Sequence, residues 1–270
     1  MEWRIIMETF LDYFFYWLTG VSISLVLYFG LGSIAFLLFW KWKISKKRIQ
    51  EKEKADKAQF KTEIIHSIYS LFLFAIIDMV AYFLQKQGYT QIYEDISTYG
   101  WGYFFLSILF MLILHDAYFY WAHRFMHLKP IYKYIHKVHH ESVDTTPYTA
   151  FSFHPLEAIV EYGIIPIFIF SFPTHFYSLL IFQILMTGFN VIGHMGYEIY
   201  PKNWLQIPIL NWKTTSVHHN LHHSKFNGNY GLYFTWWDKW MNTEFPNYES
   251  ELIRVNQKDN LVTNLIEGKV

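Results

Sequence analysis

The chain has 270 residues, of which 53% are hydrophobic and 21% aromatic, while only 16% are charged, against roughly 25% in a soluble domain. Lys and Arg balance Asp and Glu at 22 each, so no global basic surface argues for nucleic acid. Cysteine is absent, which excludes thiolate-held iron–sulfur, rubredoxin-type and Cys-ligated zinc sites and removes any disulfide argument about compartment.

In chain order, residues 18–40 carry no charge and are about long enough to cross a bilayer, which takes ~20 apolar residues. The stretch exceeds a signal-peptide core, and Glu2, Glu8 and Asp12 dilute the N-terminal positive charge. Met1–Phe15 is expected to be an interfacial lead-in. Gly30, Gly32 and Ala35 match a relaxed dinucleotide fingerprint, but inside an apolar span, with no preceding strand, they serve close helix packing instead. Lys41–Lys61 has nine Lys/Arg against three acids and is predicted to be a cytoplasmic loop. Residues 64–84 form a second span, with His66 at its edge and Asp78 inside it without an evident partner. After a polar loop, Gln85–Tyr99, a third span starts near Gly100 and runs on as one helix into HDAYFYWAHRFMH. Residues 156–192 predict a helical hairpin broken at Ser171–Thr174, kinked at Pro166, with His175 interfacial in its turn. Beyond Glu198 the chain is aromatic but polar, and it ends in a charged tail.

Thirteen of the 14 histidines fall between His115 and His223. His136, His139 and His140 form H-x-x-H-H, and His219, His222 and His223 repeat it; His123 and His127 stand four apart, and His194 lies between the blocks. Positions i, i+3 and i+4 share a helix face, so each block can present several imidazoles together. With the basic loop cytoplasmic, the second span goes out, the third returns and the hairpin dips in and back. Every block then reaches the cytoplasmic face. The fold class is therefore all-α: a membrane helical bundle with a histidine-rich helical cap on that face.

Neutral imidazole suits Zn, Cu, Fe and Ni. Nine histidines exceed one catalytic zinc, which usually takes three protein ligands, and two metals would share them four or five each. No H-E-x-x-H occurs. The expected ligands are His123, His127, His136, His139, His140, His194, His219, His222 and His223. His115, eight residues before His123, is either a further ligand or a supporting partner, and His218 is expected to point away and be exposed. Asn190, four residues before His194, would bind through water or pack between helices. Carboxylates usually orient ligating imidazoles; Asp116 is the first choice, with Glu141, Asp144, Glu157, Glu161 and Asp238 also near the blocks.

Residues 100–245 resemble the fatty acid hydroxylase superfamily, which includes sterol C-5 desaturases, sterol C-4 methyl oxidases and sphingolipid hydroxylases. The resemblance is carried by Asp116, Tyr120, Trp121, His123, Arg124 and His127; by His136, Lys137, His139 and His140; by Thr146, Pro147, Ala150, His154, Pro155 and Glu157; and by His219, His222, His223, Asn229, Tyr230, Gly231, Trp237, Asp238 and Thr243. It divides the chain into a membrane region (1–99), a catalytic domain (100–245) and a tail (246–270). It implies two iron ions that use dioxygen and two electrons to hydroxylate or desaturate a lipid, sterol-like or acyl, with zinc as a substitute metal. Asp116, Tyr120, His154, Asn190 and Asp238 become candidates to support the ligands. A separate cytochrome b5-like or ferredoxin-like donor is expected. A bacterial inner membrane is favoured over the endoplasmic reticulum on composition. The competing readings are a histidine-rich membrane metal-binding or transport protein and a bis-histidine haem protein.

Overall fold

A computed structural model describes residues 2–51, 55–208 and 210–266. Residues 52–54 of the basic loop, residues 267–270 of the tail and Met1 lie outside them. Four helices are long and apolar enough to cross a membrane: Phe10–Lys41, Lys57–Lys86, Gly100–Met126 and Phe176–His194. Their outer faces expose Val26, Phe105, Leu106 and Leu109, as lipid-facing surfaces do.

Helix α1 (Glu2–Ala35) is continuous through the expected lead-in and passes into a π-helical turn, Phe36–Lys41. Nothing in residues 2–35 breaks it, since the stretch lacks proline. Helix α2 (Lys57–Lys86) starts where the Asp56 carboxylate accepts from the Gln59 amide. The two helices are joined by Tyr28, which donates to the Tyr148 carbonyl and shares a 2.8 Å hydrogen bond with Ser67. The predicted polar loop holds a two-residue strand, β1 (Ile92–Tyr93), which pairs in parallel with β2 (Thr174–His175). Gly100, at φ +77°, turns the chain into α3 (Gly100–Met126). Two short helices follow, α4 (Lys129–Ile135) and α5 (Lys137–His140).

The expected hairpin is altered in its first arm, which is split into α6 (Pro155–Tyr162) and α7 (Ile164–Ser171). The break falls at Gly163, where a Cβ would lie 2.9 Å from the Tyr118 hydroxyl. Pro166 makes no kink because it sits in the first turn of α7, where its missing N–H has no intrahelical partner to lose. The second arm is α8 (Phe176–His194), capped by the His175 side chain. His175 is buried in the protein: its Nε2 meets the Glu94 carbonyl at 2.9 Å. Asp78 also has a partner, the Tyr162 hydroxyl.

Beyond α8 come α9 (Ser216–Lys225), α10 (Trp236–Trp240) and α11 (Tyr248–Ile266). The expected tail is thus largely a helix, and it docks on α9 through Leu252 and Val255 against Val217 and Leu221. The main core, built around Tyr28, Leu71, Phe74, Met111, Phe168 and Phe182, lies between the spans. One end of the bundle gathers residues 87–99 and 172–176, tied by Tyr103 donating to the Pro173 carbonyl. The other end gathers the 41–51 segment, α4, α5, α9 and α11. There Trp40 donates to the Met195 carbonyl, and Arg48 pairs with Asp144 at 2.5 Å. All nine expected ligands belong to this second end.

Candidate metal centre

Each H-x-x-H-H block is divided between two clusters. His136 and His140 join His123, His127 and His222 in a group of five, while His139 joins His194, His219 and His223 in a group of four. Helical geometry explains the split. His136 and His140 are one turn apart and face one way, and the 100° step from His140 back to His139 aims the latter at the other cluster. On α9 His219 and His223 are one turn apart, and His222, 100° back from His223, faces the other cluster. His136 itself sits at the break between α4 and α5, as the N-cap of α5, rather than inside a continuous helix.

The nearest ligand atoms are Nε2 throughout. In the five-histidine group His123–His136 and His140–His222 are 3.0 Å apart, His140–His127 and His140–His136 3.1 Å, and His127–His222 3.2 Å. In the four-histidine group His194 lies 2.8 Å from His219 and 3.2 Å from His139 and His223. A hydrogen bond would place a proton in each of these gaps, but the Nδ1 atoms show where the protons are. Nδ1 of His123, His139, His194, His222 and His223 faces the carbonyls of Tyr230, Ser152, Asn190, Gly228 and Ser142 at 2.7–3.4 Å. A carbonyl only accepts, so each Nδ1 is the protonated nitrogen, and in a neutral ring Nε2 is then a bare lone pair. His136 Nδ1 faces the Glu157 carboxylate at 2.6 Å. Lone pairs held at van der Waals contact or closer repel unless a cation lies among them.

The spacing is also metric. With metal–nitrogen bonds of about 2.0–2.1 Å, right angles at the metal put neighbouring ligand atoms about 3.0 Å apart and tetrahedral angles about 3.4 Å. The observed gaps of 2.8–3.2 Å are of this size, so each group is spaced as nitrogens sharing one metal ion would be. Burial, reinforced by neighbouring imidazoles, holds His136, His139, His140, His219, His222 and His223 well below the ordinary histidine value. That keeps them in the neutral form a metal requires.

The remaining candidates divide differently from expectation. His115 joins neither group; its Nδ1 meets the Tyr233 hydroxyl at 2.9 Å. His218, expected to be exposed, is fully buried, 3.6 Å from Asp238 and packed on Tyr248. The docking of α10 and α11 covers it, which helix phase alone does not reveal. Asp116 orients no ligand. It accepts from the backbone amides of Tyr233 and Phe234 and so anchors the segment after α9 to α3. Glu157 takes the orienting role instead, reached from α6, 21 residues beyond His136. It is among the carboxylates expected near the blocks, and its place in the H-P-x-E stretch is its further sequence signal. Asn190 uses its side chain on the Ala150 carbonyl and its backbone carbonyl on His194. His154 caps α6. Tyr120 bonds to Thr243 and Arg124, and Asp238 accepts from the Tyr230 and Gly231 amides and the Thr243 hydroxyl.

Sequence reasoning missed Glu63. It is buried on α2 and accepts from the hydroxyls of Ser142, Thr146 and Thr149 and the Gln59 amide at 2.6–2.8 Å. Since the Ser142 carbonyl accepts from His223, Glu63 secures the loop that carries one wall of the four-histidine group.

Comparison with known proteins gives a consistent picture. The model of the fatty acid hydroxylase family matches residues 108–243. The chain is 29% identical over 220 residues to a Delta(7)-sterol 5(6)-desaturase of Gibberella zeae, covering 80% of this chain and 67% of that protein. It is 33% identical over 185 residues to lathosterol oxidase of Rattus norvegicus, covering 68% and 60%. A Delta(7)-sterol 5(6)-desaturase of Schizosaccharomyces pombe is 29% identical over 223 residues. No solved structure matches.

Proposed function

Because the chain belongs to the fatty acid hydroxylase family, we propose that it is a membrane-embedded, dioxygen-dependent lipid hydroxylase or desaturase whose nine clustered imidazoles hold two iron ions. The observation that carries this reading is the convergence of Nε2 atoms in groups of five and four, 2.8–3.2 Å from their nearest neighbours, as nitrogens sharing a metal ion would be. Bound iron would supply the oxidising power, drawn from dioxygen and two external electrons, that an unactivated C–H bond requires. The protein's part is to hold neutral imidazoles at fixed angles, with backbone carbonyls fixing the tautomers of His123, His139, His194, His222 and His223 and Glu157 that of His136. Five and four ligands leave room at both metals for a small molecule.

The relatives named for acting on Delta(7)-sterols and lathosterol favour a sterol or similar polycyclic lipid over an acyl chain. Such a substrate would enter from the bilayer between the apolar spans. The basic segment 41–51 lies at the histidine end of the bundle, which supports a cytoplasmic site by the positive-inside rule and access for a separate soluble or membrane-bound electron donor. A transport role fits less well, because transporter sites lie near the bilayer midplane and these histidines cap one end.

Elemental analysis of the detergent-purified protein, with an optical spectrum of the same sample, tests the metal. Two irons per chain without a haem band, followed by reductant- and dioxygen-dependent conversion of a Delta(7)-sterol, is the expected result. Haem, or an iron-replete protein that oxidises neither sterol nor acyl lipid, would overturn the reading.

A further inference from the structure

The five-histidine group is connected to the surface by a row of oxidisable rings. The Tyr230 ring centroid lies 5.1 Å from that of His127, 5.6 Å from His222 and 5.7 Å from His123. Tyr120 follows at 6.1 Å from Tyr230, Trp237 at 5.8 Å and stacked on Tyr120, and Trp240 at 5.3 Å from Trp237. The row starts at the buried Tyr230 and Tyr120 and ends at Trp240, which is 60% exposed; Trp121, 46% exposed and 5.3 Å from Tyr120 and 5.7 Å from Trp237, is a side exit. Phenylalanine is the commonest aromatic of the chain, at 26 against 21 tyrosines and 11 tryptophans, yet none interrupts the row. The four-histidine group has no counterpart: among the described ring contacts its non-histidine neighbour is Phe153. Tyr132 also touches the five-histidine group, but its onward contact is Phe226, a dead end for electron transfer.

Tyr120 is also the station where a proton can leave. Its hydroxyl lies 3.0 Å from Thr243 Oγ1, and Thr243 donates its own proton to Asp238 Oδ1 at 2.7 Å. Arg124 donates to the Tyr120 oxygen. With the Thr243 proton committed to Asp238, Tyr120 must be the donor to Thr243, so a relay from phenol to carboxylate is already formed.

We propose that Trp240, Trp237, Tyr120 and Tyr230 form a one-electron conduit that drains an oxidising equivalent from the five-histidine group when no lipid C–H bond is there to react. It rests on the reading of that group as a redox-metal site. One electron passes from Tyr120 across the Tyr230 ring to the site, which is reduced by one electron. The Tyr120 phenolic proton moves to Thr243 Oγ1 as the Thr243 proton moves to Asp238. Trp237 then returns an electron to Tyr120 and the proton relay reverses. Trp240 reduces Trp237, and a one-electron reductant in solution, of the ascorbate or thiol class, refills Trp240. The net change is one electron from that reductant to the site, without damage to the imidazoles.

The test uses the iron-loaded, full-length protein in detergent, treated with hydrogen peroxide without lipid or added reductant, and maps oxygen addition to side chains by mass spectrometry. Trp42 is the internal reference, since at 61% exposed it meets solvent oxidants as freely as Trp240. Oxidation at Trp240 should exceed that at Trp42 in iron-loaded but not zinc-loaded protein. It should fall by an order of magnitude in both Tyr120→Phe and Trp237→Phe, with damage shifting to the ligand histidines in the first and to Trp121 in the second, and stay unchanged in Tyr132→Phe. Trp240 oxidation no greater than that of Trp42, or undiminished in Tyr120→Phe and Trp237→Phe, would overturn the conduit. Tyr120-dependent oxidation of Trp240 in a protein that oxidises no lipid would retain the conduit and remove the oxygenase reading instead.

Discussion

His222 donates its Nδ1 proton to the Gly228 carbonyl at 2.7 Å and turns a bare Nε2 toward His140 and His127. Removing that ring as His222→Ala should lower bound metal toward one ion per chain and abolish lipid oxidation, and His139→Ala should do the same from the other group. Full activity with full metal content in either variant would refute the ligand assignment. Glu157→Ala, which strips the acceptor from His136, should weaken metal retention about 10–100-fold, whereas Glu157→Gln should recover much of it; chelator competition measures both. The buried imidazoles also set a pH dependence. Their folded-state pKa values lie below the unfolded value near ~6.5, so between the two the unfolded chain binds more protons. The stability they contribute is present above ~6.5 and is lost as pH falls toward the folded values. Unfolding temperature and metal retention should therefore both drop between pH 7.5 and 5.5, and a flat profile would count against a mainly imidazole cage. At this scale the sequence was informative about residue type and silent about company. The nine histidines stand out by spacing, but that each block feeds two groups depends on where α3, α5, α8 and α9 cross.

Among the elements, α2 illustrates what periodicity misses. Its apolar length marks it as a span, but Glu63, near its first turns, joins it to the loop between α5 and α6. Replacing Glu63 with Ala would strand three buried hydroxyls, at a cost of about 2–4 kcal/mol. Thermal unfolding should register this, with metal loss from the four-histidine group ahead of the five-histidine group because Ser142 holds His223. Glu63→Gln, which keeps one acceptor, should be milder; equal effects would place the loss in packing. The four spans were legible because uninterrupted apolar runs of that length have few other uses. The broken first arm of the hairpin and the α11 helix were not. Gly163 breaks the arm because Tyr118 crosses there, and α11 is held by Ile49, Val217 and Leu221 from distant parts of the chain.

For the whole molecule, the alternation of spans predicts that residues 87–99 and 172–176 lie on one side of the membrane and the histidine cap on the other. The absence of cysteine makes this directly measurable. A single cysteine at Gly88 should be labelled by an impermeant maleimide from the outside of sealed vesicles or cells, and one at Lys137 only after permeabilisation. Labelling of both from one side would overturn the topology. Composition, apolar run lengths and histidine spacing were enough to establish a helical membrane protein with an imidazole-rich cap, since these features are local and each has a direct physical consequence. The tertiary structure decided which carboxylate orients a ligand, why His218 is buried, how nine imidazoles divide into five and four, and which aromatic rings line up from site to surface. Those outcomes depend on contacts between segments far apart in the chain, set by the packing of several helices at once, and no single segment encodes them.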